Sequence, residues 1–191
     1  EDGFAEHLST RGDNLPLVAN FLFEHHPDAF ARILEAMKAR VPGVSLVEPR
    51  QTEDGRLVLR FQDGSFKDPF VARHVSDGTI KMFAYLVMLN DPQPYPLLAV
   101  EEPENQLYPE LLPELAEEFR SYAQRGGQVF ISSHSPDFLN ALKLEEIYCL
   151  RKVQGFTQIS RAAESANLQA LVDAGDLPGA LWKQGLLEGL N

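Results

Sequence analysis

Three apolar runs, LLAV at 97–100, QVFISS at 128–133 and EIYCLRKV at 146–153, alternate with two stretches of helical spacing. This β-α-β-α-β order constrains the fold more than any other feature of the chain. The first intervening stretch, within Pro109 to Gln124, places Leu115, Phe119 and Tyr122 on one helical face, and the second is PDFLNAL. Runs that are apolar without alternation predict strands buried on both faces, hence a mostly parallel sheet covered by helices. An α/β fold is the expectation. After the third strand, VQG at 153–155 predicts a turn into FTQISR, an antiparallel edge strand, and two helical stretches follow, ESANLQALVDAG and LPGALWKQGLLEGL.

The first part of the chain reads differently. NLPLVANFLFEHH and DAFARILEAMKARV predict two helices, the second carrying Phe30, Ile33, Leu34, Met37 and Val41 at helical spacing. Pro42-Gly43 ends it, and VSLVEP and RLVLRFQ then alternate like the strands of a hairpin around the turn EDG at 53–55. Next, VSDGTIKMFAYLVMLNDP predicts a largely buried helix that opens at Ser-Asp-Gly and stops at Asn90-Asp91-Pro92. The sequence thus divides into a helical and β-hairpin lobe over residues 1–75 and an α/β lobe over 76–191.

A chain of 191 residues with 44% hydrophobic content can bury a core of its own. Its net charge of -11, from 28 acidic against 17 basic residues, repels phosphate backbones on average and no basic run offsets it, so charge gives no support to DNA as a partner. The single cysteine, Cys149, excludes an internal disulfide framework, fits a reducing compartment and is expected as a buried strand residue. The five histidines have no cysteine partners at finger-like spacing. No apolar stretch approaches the roughly 20 residues of a membrane span, and EDGFAEHLST lacks the features of a signal peptide, so a cytoplasmic protein without a membrane partner is expected.

Candidate chemistry lies at the carboxyl ends of the strands, where doubly wound sheets bind ligands. Glu101 and Glu102 follow LLAV directly, and Ser132-Ser133-His134-Ser135 ends the next strand. Adjacent carboxylates repel, which points to a cation or a reacting proton that uses their charge. Upstream, Ser76-Asp77-Gly78-Thr79 opens a helix whose free N–H groups and positive dipole end suit a phosphate. Taken singly, each element has a plain structural reading: a helix cap, a structural histidine, a solvated acidic loop. Their fixed order is what argues for chemistry.

The run VSDGT, PLLAVEEPENQLYP, GQVFISSHSPDFL resembles the second half of an ABC-type ATPase head, of the kind grouped with AAA-type ATPases related to the RecF, SMC and OLD-family proteins. The strong part of the likeness covers about residues 75 to 151, with weaker similarity in RGDNLPLVANFL and in the closing LPGALWKQGLLEGL. The resemblance implies ATP and magnesium as cofactors and ATP hydrolysis as the reaction. It assigns Glu101 to magnesium, Glu102 to the attacking water, His134 to the γ-phosphate, Asn105 to the D-loop at 105–109, and Ser76, Gly78 and Thr79 to the signature loop that addresses ATP held by a partner subunit. It also implies a homodimer through the nucleotide site, with DNA maintenance or defence as the setting. Magnesium would relieve the repulsion between the paired glutamates.

The sequence departs from the family pattern twice. Asp77 stands where many signatures carry glycine, and its side chain is expected to cap the helix. No G-x-x-x-x-G-K-[ST] occurs, so the chain is expected to be the C-terminal part of a longer ATPase whose N-terminal lobe supplies the P-loop. Alone it is expected to be inactive, with Glu101, Glu102 and Glu104 repelling a triphosphate. Two rivals remain: an ATP-gated dimerisation module with little turnover, and a metal-dependent nuclease, which lacks a D-x-D element after the Glu-Glu pair.

Overall fold

The computed structural model describes residues 5–64 and 70–187, so the end of the last helical stretch, at 188–190, lies outside the described residues. Two compact units emerge, one of Glu1–Ala99 with Gln106–Phe130 and the other of Val100–Asn105 with Ile131–Asn191.

In the first unit, α1 (Leu15–His25) and α2 (Pro27–Arg40) both begin with a proline in the first turn, where the missing N–H costs nothing. Val18, Ala19 and Leu22 of α1 and Phe30, Ile33 and Met37 of α2 are buried, as their helical spacing requires. Gly43, with φ of +87°, turns the chain into β1 (Val44–Gln51), which pairs antiparallel with β2 (Leu57–Asp63). Val47 stands opposite Phe61 and Pro49 opposite Leu59, and all four are buried, so the period-2 pattern sets which face meets the helices. A two-residue strand β3 (Phe70–Val71) joins β2. The long apolar helix α3 (Asp77–Leu89) buries Met82, Phe83 and Leu86, with Phe83 edge-on to Phe61 at 5.9 Å between ring centroids. After β4 (Leu97–Glu101), helix α4 (Leu112–Gln124) buries Leu115, Phe119 and Tyr122, the face expected from the sequence. Arg40 of α2 reaches Glu118 of α4 at 2.6 Å, and the Tyr122 hydroxyl donates to the Tyr95 carbonyl.

Strand β5 (Gln128–Ser132) pairs with β4 alone among the described residues. The Gln128 N–H donates to the Pro96 carbonyl at the start of the two strands, and the Glu102 N–H donates to the Ser132 carbonyl just past the end of β4. Both bonds join like ends, so the pair runs parallel.

In the second unit, α5 (Pro136–Asn140) precedes β6 (Tyr148–Val153), which pairs antiparallel with β7 (Phe156–Arg161) across a two-residue turn. Gln154 and Gly155 both have positive φ, 49° and 90°, the backbone a tight right-twisted hairpin demands. Helices α6 (Ala166–Asp173) and α7 (Pro178–Lys183) close the unit over a core of Leu144, Ile147, Ala162, Leu168, Leu181 and Leu187. Cys149 lies in a strand as expected but is half-buried rather than buried, packing against this core, and the burial it has pushes its thiol pKa up.

The α/β class is therefore observed, with two corrections to the expected sheet. Its parallel part is only β4 with β5, since β6 bonds to β7 and not to β5 among the described residues. Nor are the strands covered on both faces: Phe130 is 58% exposed, Leu150 65% and Ile159 66%. Apolar runs report that a face avoids water somewhere, without saying which element excludes it.

The α5–α7 contact depends on one glycine. A Cβ on Gly179 would lie 2.0 Å from the Pro136 carbonyl oxygen, a backbone atom, while the Gly179 N–H donates to Asn140 Oδ1 at 2.8 Å. Gly179→Ala should therefore destabilise the chain by about 1–3 kcal/mol, the usual range for overpacking. Urea denaturation measures it, and an unchanged midpoint would show that the two helices can separate without loss.

Candidate functional site

The end of β4 is built by its own backbone. Glu101 is the last strand residue and is exposed. Glu102 follows in the left-handed region, φ +44°, where a non-glycine residue costs on the order of 1–3 kcal/mol. Its N–H donates to the Ser132 carbonyl at 2.8 Å, extending the parallel ladder, and its carbonyl accepts from the Asn105 N–H at 3.1 Å, which closes a turn. The Asn105 side-chain amide donates to Glu102 Oε2 at 2.7 Å. The strained residue is thus held from three sides and projects a half-buried carboxylate.

Two residues on, Glu104 turns back toward the loop that follows β5. Its Oε1 accepts from the Ser133 hydroxyl at 2.7 Å and from the His134 N–H at 3.2 Å. The Ser133 oxygen accepts from the Ser135 N–H at 3.0 Å, and Ser135 Oγ caps α5 by accepting from the Phe138 N–H at 3.2 Å. His134 itself is exposed. Glu101, Glu102, Asn105 and His134 are therefore brought together in the second unit, on the loops at the carboxyl ends of β4 and β5. Glu104, expected only as a free charge, is a bonded member of this cluster. The clue in the sequence was a third glutamate two positions after the pair, with serines flanking the histidine one strand later.

Among the described residues no group of three or more His, Cys, Asp or Glu side chains is arranged to hold a metal ion. That donor set suits magnesium arriving with a nucleotide, because magnesium takes one or two carboxylates and completes its octahedron with phosphate oxygens and water. Glu101 is exposed, and Glu102 keeps an oxygen beyond its bond to Asn105, so the carboxylates present fit that demand.

The Ser-Asp-Gly-Thr element belongs to the first unit. Ser76 has extended backbone angles, and its Oγ accepts from the Thr79 N–H at 3.2 Å and lies 2.9 Å from Thr79 Oγ1. Asp77 is already the first residue of α3 and is exposed, so the expected cap by Asp77 is corrected to a cap by Ser76. The reason is conformational: only the residue before the helix can turn its side chain onto the first-turn amides. Gly78 is buried, and a Cβ there would meet the Gln106 carbonyl oxygen at 2.7 Å and the Tyr108 ring at 3.7 Å. Its missing side chain admits the loop at 106–108. Thr79 is 8% exposed, a buried hydroxyl satisfied by Ser76.

Residues 2–140 match the family model described as "AAA domain, putative AbiEii toxin, Type IV TA system". No curated protein sequence matches. Among solved structures, the chain is similar to one from work on "ATP-driven dimerization and DNA stimulated activation of SMC ATPases", with a TM-score of 0.58 at 13% identity over 83% of this chain and 98% of that one. It is also similar to the Pyrococcus furiosus Smc head domain with an extended coiled coil bound to the C-terminal domain of ScpA, TM-score 0.59 at 12% identity, covering 82% of this chain and 40% of that one. An Smc head bound to the C-winged helix domain of ScpA gives 0.58 at 13%, covering 76% and 48%. The chain spans less than half the length of these last two. At such identities the likeness establishes the fold, that of an SMC ATPase head. No helix among the described residues is long and apolar enough to cross a membrane.

The close approach at Gly78 has a measurable consequence. Gly78→Ala should cost about 1–3 kcal/mol of stability, because the new methyl group meets a backbone carbonyl that has no side-chain freedom to yield. A thermal melt equal to that of the unaltered protein would show that the 106–108 loop yields at no cost.

Proposed function

Because the chain belongs to the AAA-domain family whose model it matches over residues 2–140, we propose that it is the C-terminal part of an ATP-binding and ATP-hydrolysing head that works as a homodimer. The observation that carries this reading is the parallel β4–β5 pair, extended by the Glu102 N–H to Ser132 bond, which sets two carboxylates and the His134 loop at the same strand ends. That is where a doubly wound sheet presents its ligand site.

In this reading Glu102 orients the attacking water and accepts its proton, at a left-handed backbone position just past β4. Glu101 holds magnesium, which when bound neutralises charge on the phosphates. His134 contacts the γ-phosphate through an exposed imidazole. Asn105 keeps the Glu102 carboxylate in place between turnovers. Ser76, Gly78 and Thr79 form the signature at a helix N-terminus, with exposed Ser76 facing nucleotide bound to the partner subunit and buried Gly78 and Thr79 shaping the turn behind it, and the ATP-driven dimerisation named for the SMC structure supports that arrangement. The P-loop comes from an N-terminal lobe of the same protein. Among the described residues β5 bonds to β4 alone and β6 to β7 alone, and the exposed Phe130, Leu150 and Ile159 support cover by further elements. The functional division falls between residues 75 and 76, with everything from the signature onward in the catalytic lobe. We place the protein in the cytoplasm, in DNA maintenance or defence, with DNA a possible partner that the net charge of -11 on this chain does not support.

Glu102→Gln in the full-length protein should permit ATP binding but lower turnover at least about a hundredfold, within the range for losing a general base. The nucleotide-bound dimer should then accumulate on size-exclusion chromatography. Steady-state hydrolysis close to that of the parent would remove Glu102 from the chemistry and favour a dimerisation module.

Shared sites make a separate prediction. Mixing a Ser76→Arg protein with one whose P-loop is inactivated should form heterodimers with one intact composite site, and ATPase activity should partly recover. Heterodimers as inactive as either parent would mean that the signature does not act in trans.

A further inference from the structure

The three glutamates at 101, 102 and 104 are not equivalent. Glu101 is exposed and Glu102 half-buried, whereas Glu104 has one oxygen shared between two donors and the other, Oε2, buried without a hydrogen-bond partner. With one oxygen accepting two bonds and the other out of solvent, Glu104 is placed to hold the loop rather than to do the work of its neighbours. Both of its donors lie in the loop after β5: the hydroxyl of Ser133 and the backbone N–H of His134. The same Ser133 oxygen accepts from the Ser135 N–H, and Ser135 caps α5. A single carboxylate therefore anchors the backbone of the histidine on one side and, through Ser133, the start of the next helix.

We infer that Glu104 is a positioning residue that holds the His134 loop at a fixed distance from Glu102. The inference rests on the reading of His134 as a γ-phosphate contact. Carboxylate acceptors make hydrogen bonds roughly twice as strong as neutral ones, and here two converge on one oxygen, which suits a clamp. Sequence position supports the same role: Glu104 follows Glu102 by two residues across the buried Pro103, so the backbone that aims the water-activating carboxylate also aims the clamp. The two catalytic side chains are then set by one turn rather than by two independent loops.

The test is a double-mutant cycle in the full-length protein, read as kcat and KM for ATP. Glu104→Ala should lower kcat by about 10- to 100-fold, the scale of an ångström-sized misplacement, with KM changed less than about threefold. In a His134→Ala background the same change should cost less than about threefold, since the residue through which Glu104 acts is gone. Glu104→Gln keeps an acceptor oxygen and should recover most of the loss. Full additivity of Glu104→Ala and His134→Ala would overturn the inference, as would a Glu104→Gln protein no better than Glu104→Ala, which would point to direct chemistry by the carboxylate. If Glu104→Ala does not fold, Ser133→Ala removes the clamp's hydroxyl donor: a kcat loss that vanishes beside His134→Ala supports the clamp, and unchanged kcat refutes it. A parent protein without ATPase activity would instead sink the ATPase reading itself, a different result from an active parent with an additive cycle.

Discussion

The hydrogen bond from the Glu102 N–H to the Ser132 carbonyl, 2.8 Å long, is the constraint from which the rest of the candidate site follows. It extends the parallel ladder by one residue past β4 and forces the chain to leave the sheet there. The backbone leaves through a left-handed residue, φ +44°, at a cost of about 1–3 kcal/mol. A glycine would relieve the strain and would carry no carboxylate. Three bonds hold the glutamate in place: its own N–H on the Ser132 carbonyl, the Asn105 N–H on its carbonyl and the Asn105 amide on its carboxylate. Hydrogen bonds are each worth about 0.5–1.5 kcal/mol net, so three of them are of the right size to offset the strain.

The same turn answers the electrostatic problem of three acids within four positions on a chain of net charge -11. Repulsion between carboxylates is weak in bulk water, about 1 kcal/mol at 4 Å, and rises as water is withdrawn. Each carboxylate has a different remedy. Glu101 stays in solvent, Glu102 receives an amide donor, and Glu104 receives a hydroxyl and a backbone N–H. Separate environments give separate roles. The repulsion between the paired acids is thus eased by their neighbours, and the charge left facing solvent is what a magnesium–nucleotide complex would meet.

Much of this was legible in the sequence. The four long helices, the β1–β2 hairpin, the β6–β7 turn and the placement of Glu101, Glu102 and the Ser-Ser-His-Ser run at neighbouring strand ends follow from periodicity, turn residues and strand order. What periodicity cannot carry is the identity of a partner. Leu150 and Ile159 look like core residues in a linear reading and stand exposed in the hairpin, because a pattern records which face shuns water and not what covers it. The Glu104–Ser133 bond spans 29 residues and joins two loops, and neither residue belongs to a periodic element. The cap at α3 turns on a smaller point: Ser76 and Asp77 both suit an N-cap in sequence, and only the backbone angles decide that Ser76 precedes the helix.

The exposed apolar faces bear on the proposed catalytic cycle as well as on the fold. Tyr148 and Leu150 on β6 face the same way as Arg161 and Ile159 on β7, since they stand opposite one another in register, and the Arg161 guanidinium lies 5.7 Å over the Tyr148 ring. A face with an aliphatic centre and a cation at its rim is built for cover by another element rather than for water. If a P-loop lobe supplies that cover, the element that brings the phosphate cradle also buries this hairpin, and nucleotide binding and stability of the second unit become linked quantities. Ligand that binds only the covered state stabilises it by mass action, so the energy of holding ATP is also energy of assembly. A second unit covered in this way would be firmest when nucleotide is bound.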